Sequence, residues 1–463
     1  MPYQILTLGQ FLDQLATRLN DTSSVFFSRD ELLDYTKEAL RTCGAFTGYW
    51  VRRAGFTPDP ATRDYFLPSL VSYVPGPAPT LVYPLALSLT DQDLVNSLCY
   101  SLLEPPISVW SDPWPGTEQF DLPLLTVALE HSINLIQQET SLVTTVDSLV
   151  VSPTPINQYD LAADAITIRS AYWEAPDPLP ATTTLQYPLT RQDQYVHGLV
   201  EDPALVPDSY SLIATAPRRI EVSPPPTDTA TLRYVKVVAN LALDPSTAPT
   251  VLYTPENFSW ATKYHALFTL LNAEGERRDK FRADYCAQRV KDALTLSRIF
   301  PGILRCYIND VEVQVSTAWD MEASEPDWRN QLTTAYGDPS SVVLHSYSTI
   351  SLHPLPSPSS TYSVTFDLSA NAPIPALESD YLDLGSEHIQ TLLDLAHHLA
   401  CFKLGGSEFA DSIPSYQRFL LAAMSYNKKL QAESGNFELL KEKTDFPRRR
   451  KPTHLDEEEQ PDK

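Results

Sequence analysis

The chain has 463 residues, 43% of them hydrophobic, and carries 58 Asp and Glu against 34 Lys and Arg for a net charge of −24. That length fits two to four domains of roughly 100–200 residues. The charge disfavours bulk attraction to DNA or anionic lipid, and no run of about 18 apolar residues is present to span a membrane.

The 40 prolines and 14 glycines reverse the ordinary proportions. Connections should therefore be stiff turns, which argues against phosphate-cradling and dinucleotide-binding loops. No charged segment followed by an apolar one opens the chain, so a secretory leader is not expected. The five cysteines (Cys43, Cys99, Cys286, Cys306, Cys401) are odd in number and far apart. They read as reduced, mostly buried thiols of a cytoplasmic protein.

Leu8, Leu12, Leu15 and Leu19 recur at helical spacing and predict a helix over 7–20. Ser28-Arg29-Asp30-Glu31 predicts a capping box, with Glu31 reaching back, for a helix ending near Gly44 or Gly48. Prolines break 56–85 into irregular chain with short strands. Thr90–Asp93 caps a helix that Pro105-Pro106 stops, and another helix is predicted over 121–140. Alternation then marks strands at 148–151, 165–172, 209–214, 219–222 and 230–239. Helical period returns from Ser259 to about 298, with a break at Gly275. A second β block spans 303–373. Helices follow over 386–404 and 408–432, with a Gly405-Gly406 corner between them.

The two β blocks resemble one another. Ile220-Glu221-Val222-Ser223-Pro224-Pro225-Pro226 aligns without a gap on Ile350-Ser351-Leu352-His353-Pro354-Leu355-Pro356, an offset of 130 (220 to 350) that continues to Thr231 and Thr361. Each copy is an alternating strand, a proline turn that cannot donate to a ladder, and a second strand. Helix-period sequence follows, with Tyr264, Leu267, Phe268 and Leu271 falling on Ile389, Leu392, Leu393 and Ala396. Tyr172-Trp173 finds an echo in Ala318-Trp319. The fold class expected is α+β: helical bundle segments combined with two repeated antiparallel β units, each followed by a helix pair. The domains expected are 1–145 (helical, with an insert), 146–300 and 301–432 (the two units), and 433–463, a charged tail. Apolar residues nearly vanish after Phe446, so that tail is expected to be disordered.

No catalytic or metal motif competes with an architectural reading. His397-His398 are adjacent on a helix and point about 100° apart, so they do not ligate one metal from one face. No residue is assigned a catalytic or metal-binding role, and no cofactor is expected. Glu274, Glu276, Asp279 and Asp284 interleave with Arg277, Arg278, Lys280 and Arg282, the pattern of a solvated helix face or a subunit contact. In the tail, Phe437, Leu439, Leu440 and Phe446 precede Arg448, Arg449, Arg450 and Lys451. Apolar anchors followed by four cations can fold onto an acidic partner.

The N-terminal helix pair over 7–43, the aromatic pair Tyr172-Trp173, the stretch Pro217–Pro226, and the helix that follows Pro255 through Trp260–Leu267 together resemble the head-to-tail adaptor (neck, or connector) proteins of tailed bacteriophages. The segment from Leu89 to Thr140 resembles structural proteins of such phages. The second β-plus-helix unit and the insert at 56–145 depart from the smaller adaptors.

The resemblance implies a virion neck protein assembled in the host bacterial cytoplasm, with no enzymatic activity. It would form a homo-oligomeric ring, commonly of twelve subunits, below the portal. DNA would pass through the bore without specific binding. The portal protein, docked by the C-terminal residues named above, and a downstream tail or nozzle protein would be its partners. The alternatives are another neck or tail component, such as a tail terminator or tail tube, and a β module that binds glycan or host surface through Tyr172, Trp173, Trp319 and Trp328.

Overall fold

The computed structural model describes residues 6–433 apart from 60–62, 70, 75–79, 83–84, 107–118, 154–156, 177–183, 194–205, 214–217, 241–242, 244–248, 274–277, 300–302, 326–327, 329–335 and 358. The expected tail, 433–463, lies outside the described residues apart from Glu433.

Helix α1 (Leu8–Arg18) opens on a reciprocal capping box between Thr7 and Gln10 and buries Leu8, Phe11, Leu12 and Leu15. In α2 (Arg29–Thr47) Ser28 caps the first turn. Glu31 does not reach back as the sequence predicted. Its buried carboxylate instead accepts from Tyr35 Oη at 3.0 Å and Lys403 Nζ at 2.8 Å. The helix ends at Gly48, whose φ of 61° suits a residue without Cβ. Gly44 lies within the helix, where a Cβ would come within 2.9 Å of Asn257 Oδ1 and a larger residue would not fit.

Short strands β1 (Val51–Phe56), β2 (Asp64–Phe66), β3 (Val71–Val74) and β4 (Thr80–Val82) follow. Then come α3 (Asp91–Leu102), capped by Thr90 and Asp93, and α4 (Leu122–Thr140), capped by Asp121. The first β block is β5 (Thr144–Val151), β6 (Gln158–Asp160), β7 (Ala165–Pro176), β8 (Thr184–Arg191), β9 (Ser209–Ile213), β10 (Arg219–Ser223) and β11 (Ala230–Val238). Helices α5 (Ser259–Leu271) and α6 (Lys280–Ile299) close it. The second block is β12 (Ile303–Ile308), β13 (Val311–Thr317), α7 (Ala318–Ser324), β14 (Tyr336–Gly337), β15 (Ser341–Leu344), β16 (Thr349–His353), β17 (Leu355–Pro356) and β18 (Val364–Ser369). It leads into α8 (Ser386–Leu404) and α9 (Gly406–Glu433), with Gly405 and Gly406 at positive φ in the corner.

The protein is thus mixed α and β. The helices share one core, in which Phe11, Leu98, Leu129, Trp260, Leu267 and Leu395 are all buried. Each sheet has a core of its own. Of the two large sheets, one runs β5-β11-β7-β8-β9-β10-β6 and the other β2-β16-β15-β13-β12-β18-β1-β3-β4, and β14 and β17 form a small parallel pair. Strands from 51–82 therefore complete the sheet of 303–369, with Val51 opposite Ser369.

Neither sheet is wholly antiparallel, contrary to expectation. The pairs β8/β9 and β13/β15 run parallel. Residues 192–208 and 318–340 respectively supply the long connections that a parallel pair requires. The echo of Tyr172-Trp173 in Ala318-Trp319 does not hold either. The former pair lies in β7, whereas Thr317 and Asp320 form a capping box that starts α7 at Ala318.

Some hydrogen bonds recur at fixed offsets. Leu252 N donates to Leu89 O and Leu382 N to Leu6 O; Asp91 N donates to Thr250 O and Leu8 N to Asp380 O. Thr90 bridges Val251 as Thr7 bridges Tyr381. The Ser223–Pro224 and His353–Pro354 peptides are both cis.

Candidate functional site

The tail residues proposed for partner docking, Phe437, Leu439, Leu440, Phe446, Arg448, Arg449, Arg450 and Lys451, all lie outside the described residues. Among the described residues, the fold brings several sets of polar groups together.

One constellation has the composition of a hydrolase triad. Asp64 on β2 sits opposite Ser351 on β16. Ser351 Oγ donates to Asp64 Oδ1, and His345 Nε2 lies 2.5 Å from the same hydroxyl. In a working triad the serine proton points at the imidazole and the carboxylate orients the far ring nitrogen. Here the carboxylate takes the serine proton directly, so the imidazole can only donate to Ser351. Asp64 and His345 are almost wholly buried, and Ser351 is fully so. The cluster fastens the β15–β16 turn to β2.

A second set lies in the helical core. His398 is sandwiched between Phe409 and Tyr416, with ring centroids 5.2 and 5.0 Å away. Its Nδ1 meets Ser412 Oγ at 2.7 Å and its Nε2 meets Tyr285 Oη at 2.8 Å. Burial, reinforced by the nearby Arg289 charge, pushes its pKa down to about 3. Arg289 is fully buried, with its guanidinium carbon 4.4 Å from the Trp260 ring centre and 5.1 Å from those of Tyr264 and Tyr416. Aromatic faces thus receive much of its charge. Lys263 Nζ and Glu38 Oε2 form a buried ion pair at 2.5 Å. These groups fix helices to one another and face no opening. His397 neighbours Cys401 at 3.6 Å and does not join His398 on one face.

Tyr172, Trp173 and Trp328 are buried to within 1% of complete enclosure. Buried rings offer no stacking platform, which counts against glycan recognition through them. The Trp319 side chain lies outside the described residues. All five cysteines are buried, and none forms a disulfide. Among the described residues no group of three or more His, Cys, Asp or Glu is placed to hold a metal ion. No described helix is long and apolar enough to cross a membrane.

The open chemistry lies at a cleft of about 550 Å³ between the end of α4 and the seven-stranded sheet. Arg169 on β7, Arg191 on β8, Arg218, and Arg219 on β10 all line it. Alternation produces this arrangement: Ile168 and Ser170 turn inward, so Arg169 turns out. Arg169 Nε donates to Ser141 Oγ at 3.0 Å, at the left-handed residue that ends α4. Partial desolvation, and after it the charge of Arg191, hold the Arg169 pKa below its ordinary value. Arg218 Nη1 donates to Ala165 O at 2.6 Å, and Arg219 pairs with Asp160 at 2.8 Å. Such a group of guanidinium forks can hold an oxyanion.

Sequence reasoning missed this site. Its arginines are spread over some fifty residues and three strands, and the adjacent pair Arg218-Arg219 was the one local signal. No protein-family model and no curated protein sequence matches the chain.

Proposed function

We propose that this chain is a structural subunit of a tailed-phage neck, an adaptor that assembles head to tail into a ring joining capsid to tail. It is built of one module used twice, the second copy inserted in the first. The outer copy is α1–α2, β1–β4, β12–β18 and α8–α9, and the inner copy is α3–α4, β5–β11 and α5–α6.

The observation that carries the modular reading is strand order. Read as β6-β10-β9-β8-β7-β11-β5, the inner sheet matches β2-β16-β15-β13-β12-β18-β1 of the outer strand for strand, with the parallel pair in the same place. The bonds that anchor α3 and α1 recur at the same residue offsets, 83 in one partner and 130 in the other (8 to 91, 250 to 380).

The structural role draws on the placement of the polar clusters, which lie inside the packing and join elements. The ring and its position in the neck follow from the resemblance of 7–43, 172–173 and 217–267 to phage adaptors. A surface of net charge −24 lets DNA slide through a bore without adhesion. Head-to-tail closure needs two complementary faces per subunit and sets the copy number.

Electron microscopy of the purified protein, and of particles containing it, tests the reading. Rings of about twelve subunits located between portal and tail are expected. A protein that stays monomeric at every concentration, or rings found at another level of the tail, would defeat it.

A further inference from the structure

The arginine cleft has properties that a ring scaffold does not require. Arg169, Arg191 and Arg218 have no carboxylate ion-pair partner among the described residues, whereas Arg18, Arg29, Arg52, Arg53, Arg233 and Arg418 each have one. Arg289, which also has no carboxylate partner among the described residues, is instead enclosed by aromatic rings, whereas the three cleft arginines line open space. Arg169 has a structural role, since a cation at the end of α4 complements the helix dipole there. The same role does not extend to Arg191, which lies close enough for its charge to oppose the Arg169 charge. Glu139 on the rim supplies one negative charge. Three arginines against one glutamate leave about two positive charges unbalanced.

We propose that this cleft binds a ligand bearing two or more closely spaced anionic oxygen groups, phosphate or carboxylate. Its volume falls within the range of small-molecule sites. The guanidiniums present planar, fixed donors that suit paired anionic oxygens. Ser141 and Thr167 add hydroxyls, and Leu161 and Leu212 form apolar wall. The site does not depend on the ring: it lies within one chain and would operate in a monomer.

Titration calorimetry of the full chain in low-salt buffer tests this, with pyrophosphate and citrate as separate probes. One equivalent should bind per chain. Arg191→Gln should weaken binding by about tenfold or more, and Arg191→Glu should abolish it. Arg53→Gln, which alters an arginine paired with Asp367 on the other sheet, should leave affinity unchanged. Preference for pyrophosphate would identify phosphate as the natural chemistry, and preference for citrate would identify carboxylate; either supports the site. Without ligand, Arg191→Gln should melt no lower than the parent, because it removes a repulsion, and this keeps lost binding distinct from lost folding. Absence of heat for both probes at millimolar concentration, or equal weakening by Arg191→Gln and Arg53→Gln, would overturn the proposal.

Discussion

His398 illustrates how a titratable side chain becomes a packing element. Stacked between two rings and hydrogen-bonded at both nitrogens, it stays neutral down to about pH 3 in the folded protein. The unfolded chain binds that proton at an ordinary pKa of about 6.5. Its contribution to stability is therefore complete above about pH 6.5 and is lost as pH falls toward 3, by about 1.4 kcal/mol per pH unit. His397, whose pKa is brought down to about 4 by burial, adds in the same direction, as do His265 and His353. Urea unfolding between about pH 6 and 4.5 should show the parent's stability falling with acid, and His398→Gln should reduce that slope by roughly one proton. An unchanged slope would mean that His398 is already charged in the fold.

The Lys263–Glu38 pair makes a complementary case. Glu38→Ala leaves a buried ammonium without its anion and should cost about 3–5 kcal/mol, read from the urea midpoint. Glu38→Leu combined with Lys263→Met should cost far less, since neither charge is left behind. Sequence reasoning placed the adjacent histidines as structural from their angular spacing. Glu38 and Lys263 gave no such signal, because 225 residues separate them.

At the scale of elements, a hydroxyl seam joins the two sheets. Thr144, at the start of β5, engages Thr349 Oγ1 and Ser346 Oγ at 2.8 Å each, and its backbone nitrogen donates to Ser348 Oγ at 2.8 Å. Thr349 is fully buried, so Thr349→Val keeps the shape and strands polar partners. It should lower stability by about 1–3 kcal/mol. Thr229→Val, at an exposed turn, should change it by less than about 0.5 kcal/mol. A Thr349→Val protein as stable as the parent would show that the seam contributes only shape.

Helices were the most legible elements, since Thr7, Ser28, Thr90 and Asp121 announce their starts locally. The seven-residue α7 fell below the window in which helical period can be told from β alternation. The parallel pairs left no local mark, because partner choice is settled by chain far outside either strand.

For the whole molecule, the shared helical core sets how it unfolds. Helices of both proposed copies bury Leu98, Leu129, Leu267 and Leu395 in one cluster, so separating the copies would expose it to water. One cooperative transition is expected, with tryptophan fluorescence and far-ultraviolet dichroism superimposing in urea. The tryptophans report widely, with Trp260 among the helices, Trp173 inside one sheet and Trp328 beside the other. Two resolved transitions would mean that the copies are independent bodies. The proline turns suggested a repeated β-plus-helix unit from sequence, but nothing local pointed to a helix pair before each proposed unit or to the proposed nesting of one in the other. Interruption of the proposed outer copy by some two hundred residues would hide its first half from any local comparison.

That interruption constrains how the protein can be made. Val51 meets Ser369, 318 residues later in the chain (51 to 369). At translation speeds of about 5–20 residues per second, β1 waits roughly 15–60 s for its partner strand to leave the ribosome. The proposed inner copy, whose last helix ends at Ile299, is finished first and can condense while the outer strands are still open edges. Slowing translation between 300 and 369, for instance with rare codons, should therefore lower the yield of soluble protein by prolonging exposure of β1–β4.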